Sequence, residues 1–168
     1  MNTAPLKETF KRELVNGILP FWATHGWDQE SGGMITSLDR RGGVLDSDKS
    51  VWFQGRSAWT YATAYRTIEQ DPHYLEIARS CLSFIDDHCI DVDGRYFFRV
   101  TRTGEPVIKR SRYIFSEAFA ALALAAYSRA TGERGYAQRA HELFARIILT
   151  LDTPGMLSPK VNQETRPS

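Results

Sequence analysis

KSVWFQGRSAWTYATAYR, residues 49–66, has a single charge, Arg56, between its terminal Lys49 and Arg66. Trp52, Arg56, Trp59 and Thr63 recur at helical spacing, so they share one face. Thr63 is the one small polar residue among them, and its hydroxyl can bond back to a carbonyl of its own helix. The opposite face carries Phe53, Tyr61, Ala64 and Tyr65. Neither face reads as solvated, and a helix that is largely apolar all round is expected to be buried. Arg56 therefore sits where a charge is costly unless something pairs with it. It is either a structural arginine, bonded to a carboxylate or to free carbonyls, or a functional cation. The helix alone leaves both open.

A second stretch, from Arg112 to Arg129, repeats the pattern. It reads as a nearly uncharged helix interrupted only by Glu117, rich in alanines that let neighbouring helices come close, and stopped at Thr131-Gly132. Each low-charge helix is followed by an amphipathic one. The first runs from about His73 to His88, with Tyr74, Ile77, Ala78, Cys81, Phe84 and Ile85 on its apolar face; the second runs from Glu133 to Leu151. A shift of 62 residues superposes Phe53 on Phe115, Ala58 on Ala120, Tyr65 on Tyr127, Tyr74 on Tyr136 and Ile85 on Ile147. Such a repeat predicts helical hairpins side by side, the low-charge helices inside and the amphipathic ones outside. Two hairpins and one leading helix leave open edges. The chain is accordingly expected to be the first part of a longer protein, or to have further chain packed on it.

Around these helices the pattern is shorter-ranged. Pro5 to Trp22 reads as an amphipathic helix on Leu6, Phe10, Leu14 and Ile18, ended or bent by Pro20 and Gly26. Between Gly32-Gly33 and Gly42-Gly43 the alternation of Met34, Thr36 and Leu38 predicts one or two short strands, with a tight turn at 39–43. Asp46, Ser47 and Asp48 offer N-cap oxygens to the helix that follows. RYFFRVTRTGEPV, residues 95–107, predicts a β-hairpin turning at Thr103-Gly104. From Asp152 onward the sequence reads as loop.

Composition excludes several partners. Formal net charge is +1 and no basic face stands apart, so no nucleic-acid partner is expected. The first residues are polar and charged, and no apolar run is long enough to cross a bilayer. Cys81 and Cys89 fall about two turns apart on a helix, too far for a disulfide; buried thiols in a reducing, cytoplasmic setting are expected. His25, His73, His88 and His141 are scattered, no metal constellation or phosphate loop appears, and no cofactor is expected. There remain polar residues on the inner helices, Gln54 and Arg56 on the first and Ser116 and Glu117 on the second. Trp52, Trp59, Phe115 and Phe119 stand beside them. Aromatics with a few donors and acceptors suit a sugar, which has apolar ring faces and hydroxyl edges. Equally, Glu117 could serve only to neutralise Arg56 across the helix pair.

The segment from Trp27 to Tyr65, with GGM, LDRRG, DSDK and VWFQGR, resembles the beginning of the N-acylglucosamine 2-epimerase family. VTRTGEPV and YIFSEAFAALALAAYSRATGE resemble the same family further along, in the same order. VWFQGR and IFSE point to the N-acyl-hexosamine branch; in the related cellobiose 2-epimerases a tyrosine is expected near Phe115. Aldose–ketose isomerases, such as one acting on mannose, are also related. The resemblance implies an all-α fold, an (α/α) toroid of six helical hairpins with short β-hairpins in the loops. Residues 1–168 would be an incomplete N-terminal portion of that single barrel domain. It also implies proton transfer at carbon 2 of a sugar through ring opening and an enediolate-type intermediate. Arg56 matches the family's arginine near the reacting carbon. From the pattern of the inner helices, and not from the resemblance, Trp52, Gln54, Trp59, Phe115, Ser116 and Glu117 are the residues expected to line the substrate. The family's two catalytic histidines lie in its second half, and none of the four histidines here matches them. The partners implied are a small-molecule sugar and either the missing C-terminal half or a second copy of the chain. A non-catalytic sugar-binding or interaction module is the expectation from another class.

Overall fold

The computed structural model describes residues 3–108 and 114–157. Helix α1 (Ala4–Glu13) runs through a π-helical turn (Leu14–Ile18) into α2 (Leu19–His25). A hairpin of β1 (Ser37–Leu38) and β2 (Val44–Asp46) follows, then β3 (Lys49–Ser50), α3 (Val51–Thr67) and α4 (Pro72–His88). A second hairpin, β4 (Arg99–Val100) and β5 (Pro106–Ile108), leads to α5 (Phe115–Thr131) and α6 (Arg134–Asp152). The fold is all-α, of the (α/α) toroid type, with its few strands confined to the loops.

Helix α3 is the centre of the packing. It lies against α5 on one side and α4 on another, and α6 covers α5. Ala58 and Ala62 of α3 and Ala120 and Ala123 of α5 are in the buried core, with Ile77, Ala78, Cys81, Ile85 and Leu143 contributed by the amphipathic helices. Gly55 permits the closest approach. A Cβ there would stand 2.6 Å from the Phe119 carbonyl carbon and 2.8 Å from Ala120 N.

The repeat is deeper than the helices alone indicate. Both hairpins belong to it. Ser37 pairs with Asp46 and Leu38 with Val44; at the same 62-residue shift, Arg99 pairs with Ile108 and Val100 with Pro106, each with an irregularity between the two pairs. The turns carry Gly42 (φ 87°) and Gly104 (φ 105°), and a Cβ at either would run into the ring of a histidine, His25 or His88, at the end of the preceding helix. Each histidine stacks on a phenylalanine four residues earlier. Phe21–His25 centroids are 5.1 Å apart and Phe84–His88 centroids 5.0 Å. β3 joins the repeats by pairing Lys49 with Val100 and Ser50 with Arg99.

Four local expectations change. Pro20 does not end the first helix; it sits in the first turn of α2. Leu19 N–H reaches back five residues to Leu14 O, and that wider turn admits a residue with no N–H to give. Asp46, Ser47 and Asp48 do not cap α3, whose N-cap is Ser50; Asp46 and Asp48 instead hold Arg99 of the second hairpin. Lys49 belongs to β3 and not to the helix. Helices α3 and α5 are not buried all round, because the stripe of Trp52, Arg56, Trp59 and Thr63 is only partly covered by the described residues. The expected helix start at Arg112 and the loop from Ser158 onward lie outside the described residues.

Candidate functional site

The open stripe of α3 is the side opposite its buried Val51, Gln54, Ala58 and Tyr61. Trp59 is 42% exposed and Arg56 is also exposed. Phe115, Phe119 and Leu122 form the matching stripe on α5, with Phe115 and Leu122 exposed. The two stripes meet at Trp52 and Phe119, whose centroids are 5.8 Å apart. The Arg56 guanidinium lies 5.7 Å from the Trp52 ring centroid, a cation–π distance. Thr60 Oγ1 donates to the Arg56 carbonyl at 2.9 Å, four residues back within α3. Beside it, between α2 and α3, a cavity of about 190 Å³ is lined by Ile18, Trp22, Phe53, Ser57 and Thr60.

Four of the residues expected at the substrate therefore share this face: Trp52, Arg56, Trp59 and Phe115. The other three turn away. Gln54 is fully buried, and its amide is spent on the Met34 backbone: Met34 N–H donates to Oε1 at 2.7 Å and Nε2 donates to Met34 O at 2.8 Å. Ser116 Oγ donates to Phe97 O at 3.0 Å. Glu117 accepts from Arg95 Nε at 2.7 Å and from Tyr96 N–H at 3.3 Å. Its ion pair is thus with Arg95, and the expected neutralisation of Arg56 by Glu117 is not what the structure holds. The physical reason is common to all three. Each inner helix must anchor the loop before it, and that loop's buried N–H and C=O groups need partners. The repeat makes this visible, since Met34 and Tyr96 are equivalent at the 62-residue shift.

The residue that sequence reasoning missed is Lys49. It is completely buried, and its Nζ donates to Asp28 Oδ2 (2.9 Å), Gly32 O (2.6 Å) and Arg102 O (2.9 Å) while lying 4.3 Å from the Phe84 ring centroid. Asp28 also accepts from Arg102 Nε and Nη2, at 2.7 and 2.8 Å. Burial works against the Asp28 carboxylate, but Arg102, Lys49 and the Ser31 N–H outweigh it and hold the carboxyl well below its usual range. Burial pulls the Lys49 ammonium down from its ordinary value against the support of Asp28. This cluster ties the first loop, the second hairpin and the start of α3 together, two turns before Arg56. The phenylalanine–histidine pairs were missed too, although they were legible as FWATH (21–25) and FIDDH (84–88).

No group of histidine, cysteine and carboxylate side chains with metal-binding geometry occurs among the described residues. Cys81 and Cys89 are free and buried, and burial pushes the Cys81 thiol up to about 12, so neither is a nucleophile at neutral pH. Among the described residues no helix is long and apolar enough to cross a membrane.

Paired helices with their few strands confined to the loops define a segment of an (α/α) toroid. The profile of N-acylglucosamine 2-epimerase (GlcNAc 2-epimerase) matches residues 32–164. The chain belongs to the N-acylglucosamine 2-epimerase family. It is 38% identical over 161 residues to the N-acylglucosamine 2-epimerase of Homo sapiens, covering 92% of this chain and 37% of that protein. The solved sugar epimerase from a ruminal bacterium superposes with a TM-score of 0.76 at 30% identity, over 85% of this chain and 36% of its own. Cellobiose 2-epimerase from Bacillus thermoamylovorans superposes with a TM-score of 0.78 at 28% identity, over 88% and 38%. The chain thus spans little more than a third of the relatives it matches.

Proposed function

We propose that the face of Trp52, Arg56, Trp59, Phe115 and Phe119 is part of the sugar site of a 2-epimerase that interconverts N-acyl-D-glucosamine and N-acyl-D-mannosamine. One observation carries it. Arg56 is the cation on an otherwise aromatic, open face, and no ion pair among the described residues takes its charge. The human N-acyl-sugar relative favours the N-acyl hexosamines as substrates.

The chemistry asks little else of this portion. In the open-chain sugar a base removes the proton on carbon 2. The C–H electron pair becomes the C1–C2 double bond, and negative charge moves onto the C1 oxygen. A guanidinium beside that oxygen stabilises the enolate more than the neutral aldehyde. Return of a proton on the opposite face of carbon 2 gives the epimer. We infer that neither proton carrier is one of this chain's four histidines. His25 and His88 lie under the hairpin turns, His73 lies against Trp27, and His141 lies on the α5–α6 groove. The further part of the barrel would supply them, with residues 1–168 as its N-terminal portion. We place the enzyme in the cytoplasm, a reading supported by the two unpaired buried thiols.

Titration of the chain with N-acetylmannosamine, followed by the indole N–H resonances of its tryptophans, tests the site. Shifts at Trp52 and Trp59 that vanish in Arg56→Ala are expected. Absence of any shift at those two indoles would sink the proposal.

A further inference from the structure

Glycine is among the poorest helix formers, yet Gly55 stands inside α3, in its second turn, one residue before Arg56. Its φ lies outside the left-handed region, so no turn or backbone twist demands it. What demands it is the neighbouring backbone. An added Cβ would sit 2.6 Å from Phe119 C, 2.8 Å from Ala120 N and 2.8 Å from Phe119 O. These are main-chain atoms of a packed helix and cannot rotate away as a side-chain tip can. Any larger residue at 55 must therefore push α5 off α3 at this level.

The consequence falls on the sugar face. Phe119 is the α5 residue whose backbone meets Gly55, and its ring is the one that contacts Trp52. Trp52 in turn lies under the Arg56 guanidinium. The contacts run without a gap from Gly55 through the 119–120 backbone to the Phe119 ring, the Trp52 ring and the guanidinium. Trp52 is half-buried, so its ring is held by Phe53 and Phe119 and not by solvent-side partners among the described residues.

We propose that Gly55 is a positioning residue of this site: it sets the α3–α5 spacing that brings Phe119 onto Trp52, and so fixes the aromatic shelf on which Arg56 is carried. The inference rests on the sugar-site reading of that face. It adds a residue that does not touch the sugar and whose substitution removes none of the side chains of the face.

The experiment is Gly55→Ala in the full chain, read by ring-to-ring nuclear Overhauser effects and by N-acetylmannosamine titration. Alanine is the better helix former, so α3 itself is not weakened. The expected variant melts cooperatively and keeps the Trp22–Phe53 contact (5.3 Å between centroids in the wild type). It loses the Trp52–Phe119 effects, and the sugar-induced shift at the Trp52 indole falls several-fold. Folded Gly55→Ala that retains the Trp52–Phe119 effects overturns the proposal, as does one that loses them with an unchanged sugar response. Should Gly55→Ala fail to fold, Phe119→Ala removes the ring and leaves the backbone contact. It must then cut the Trp52 sugar shift several-fold, and an unchanged shift overturns the proposal. If wild-type chain shows no sugar shift at all, the sugar-site reading fails, while the Overhauser arm still decides the spacing claim.

Discussion

Lys49 donates to Asp28 across 2.9 Å with both side chains essentially out of solvent. The pair is the meeting point of two repeats, since Asp28 lies in the first loop and Arg102, its other partner, in the second hairpin. A buried pair need not add much net stability, but half of one is costly. Lys49→Met should destabilise the chain, by less than the about 3–5 kcal/mol of a buried charge left alone, because Arg102 still holds Asp28. Chemical denaturation checks this, and a loss below about 1 kcal/mol, the scale of an exposed pair, would show that the cluster is not holding the loops.

The same pair predicts a pH dependence. The folded Asp28 carboxyl is held below its unfolded value, so the folded state binds fewer protons there. The contribution is full above the ordinary carboxylate range, about 4, and drains away as pH falls below it. The gap in urea midpoint between wild type and Asp28→Asn should therefore be wide at neutral pH and narrow under acid. A gap that stays constant with pH would contradict the assignment.

Gln54→Leu should strand the Met34 N–H and C=O in the core. Leaving such groups unpaired costs about 1–3 kcal/mol each. Hydrogen exchange at Met34 should also accelerate relative to the amides of α4. Unchanged protection at Met34 would show that the amide clamp is dispensable.

Gly42 and Gly104 give a paired test of the repeat. Alanine at either should destabilise by about 1–2 kcal/mol for the left-handed backbone alone, and further for the histidine ring it would strike. His25→Ala should relieve part of the Gly42→Ala loss and none of the Gly104→Ala loss. His88→Ala should do the reverse. Equal relief at both turns in double-mutant cycles would contradict the pairing of each histidine with its own hairpin.

How much of this was legible beforehand differs by element. The helix pairs, the inner–outer order and the face shared by Trp52, Arg56 and Trp59 follow from periodicity and the repeat. What covers a face does not follow, because an apolar stripe looks the same whether a helix or a ligand lies against it. That is why α3 was expected to be buried all round. Gln54, Ser116 and Glu117 were expected at the substrate because polar residues on low-charge helices are conspicuous. Their partners, Met34, Phe97, Arg95 and Tyr96, lie in the strand-and-turn segments some 20 residues away, and spacing within a helix does not say which of their groups it will meet. Lys49 escaped for the same reason: its partners come from three separate loops.

The central claim is that Arg56 stabilises charge at the C1 oxygen. A chimaera in which this chain replaces the aligned segment of human N-acylglucosamine 2-epimerase allows the direct measurement, exchange of the carbon-2 proton of N-acetylmannosamine with heavy water. The unmutated chimaera should exchange it. Folded Arg56→Ala should slow exchange roughly a hundredfold or more, the scale of losing one such donor. Arg56→Lys should recover little, because a point charge on a flexible stem does not reproduce a planar fork. Exchange in Arg56→Ala at the unmutated rate, with only weaker sugar binding, would contradict the claim.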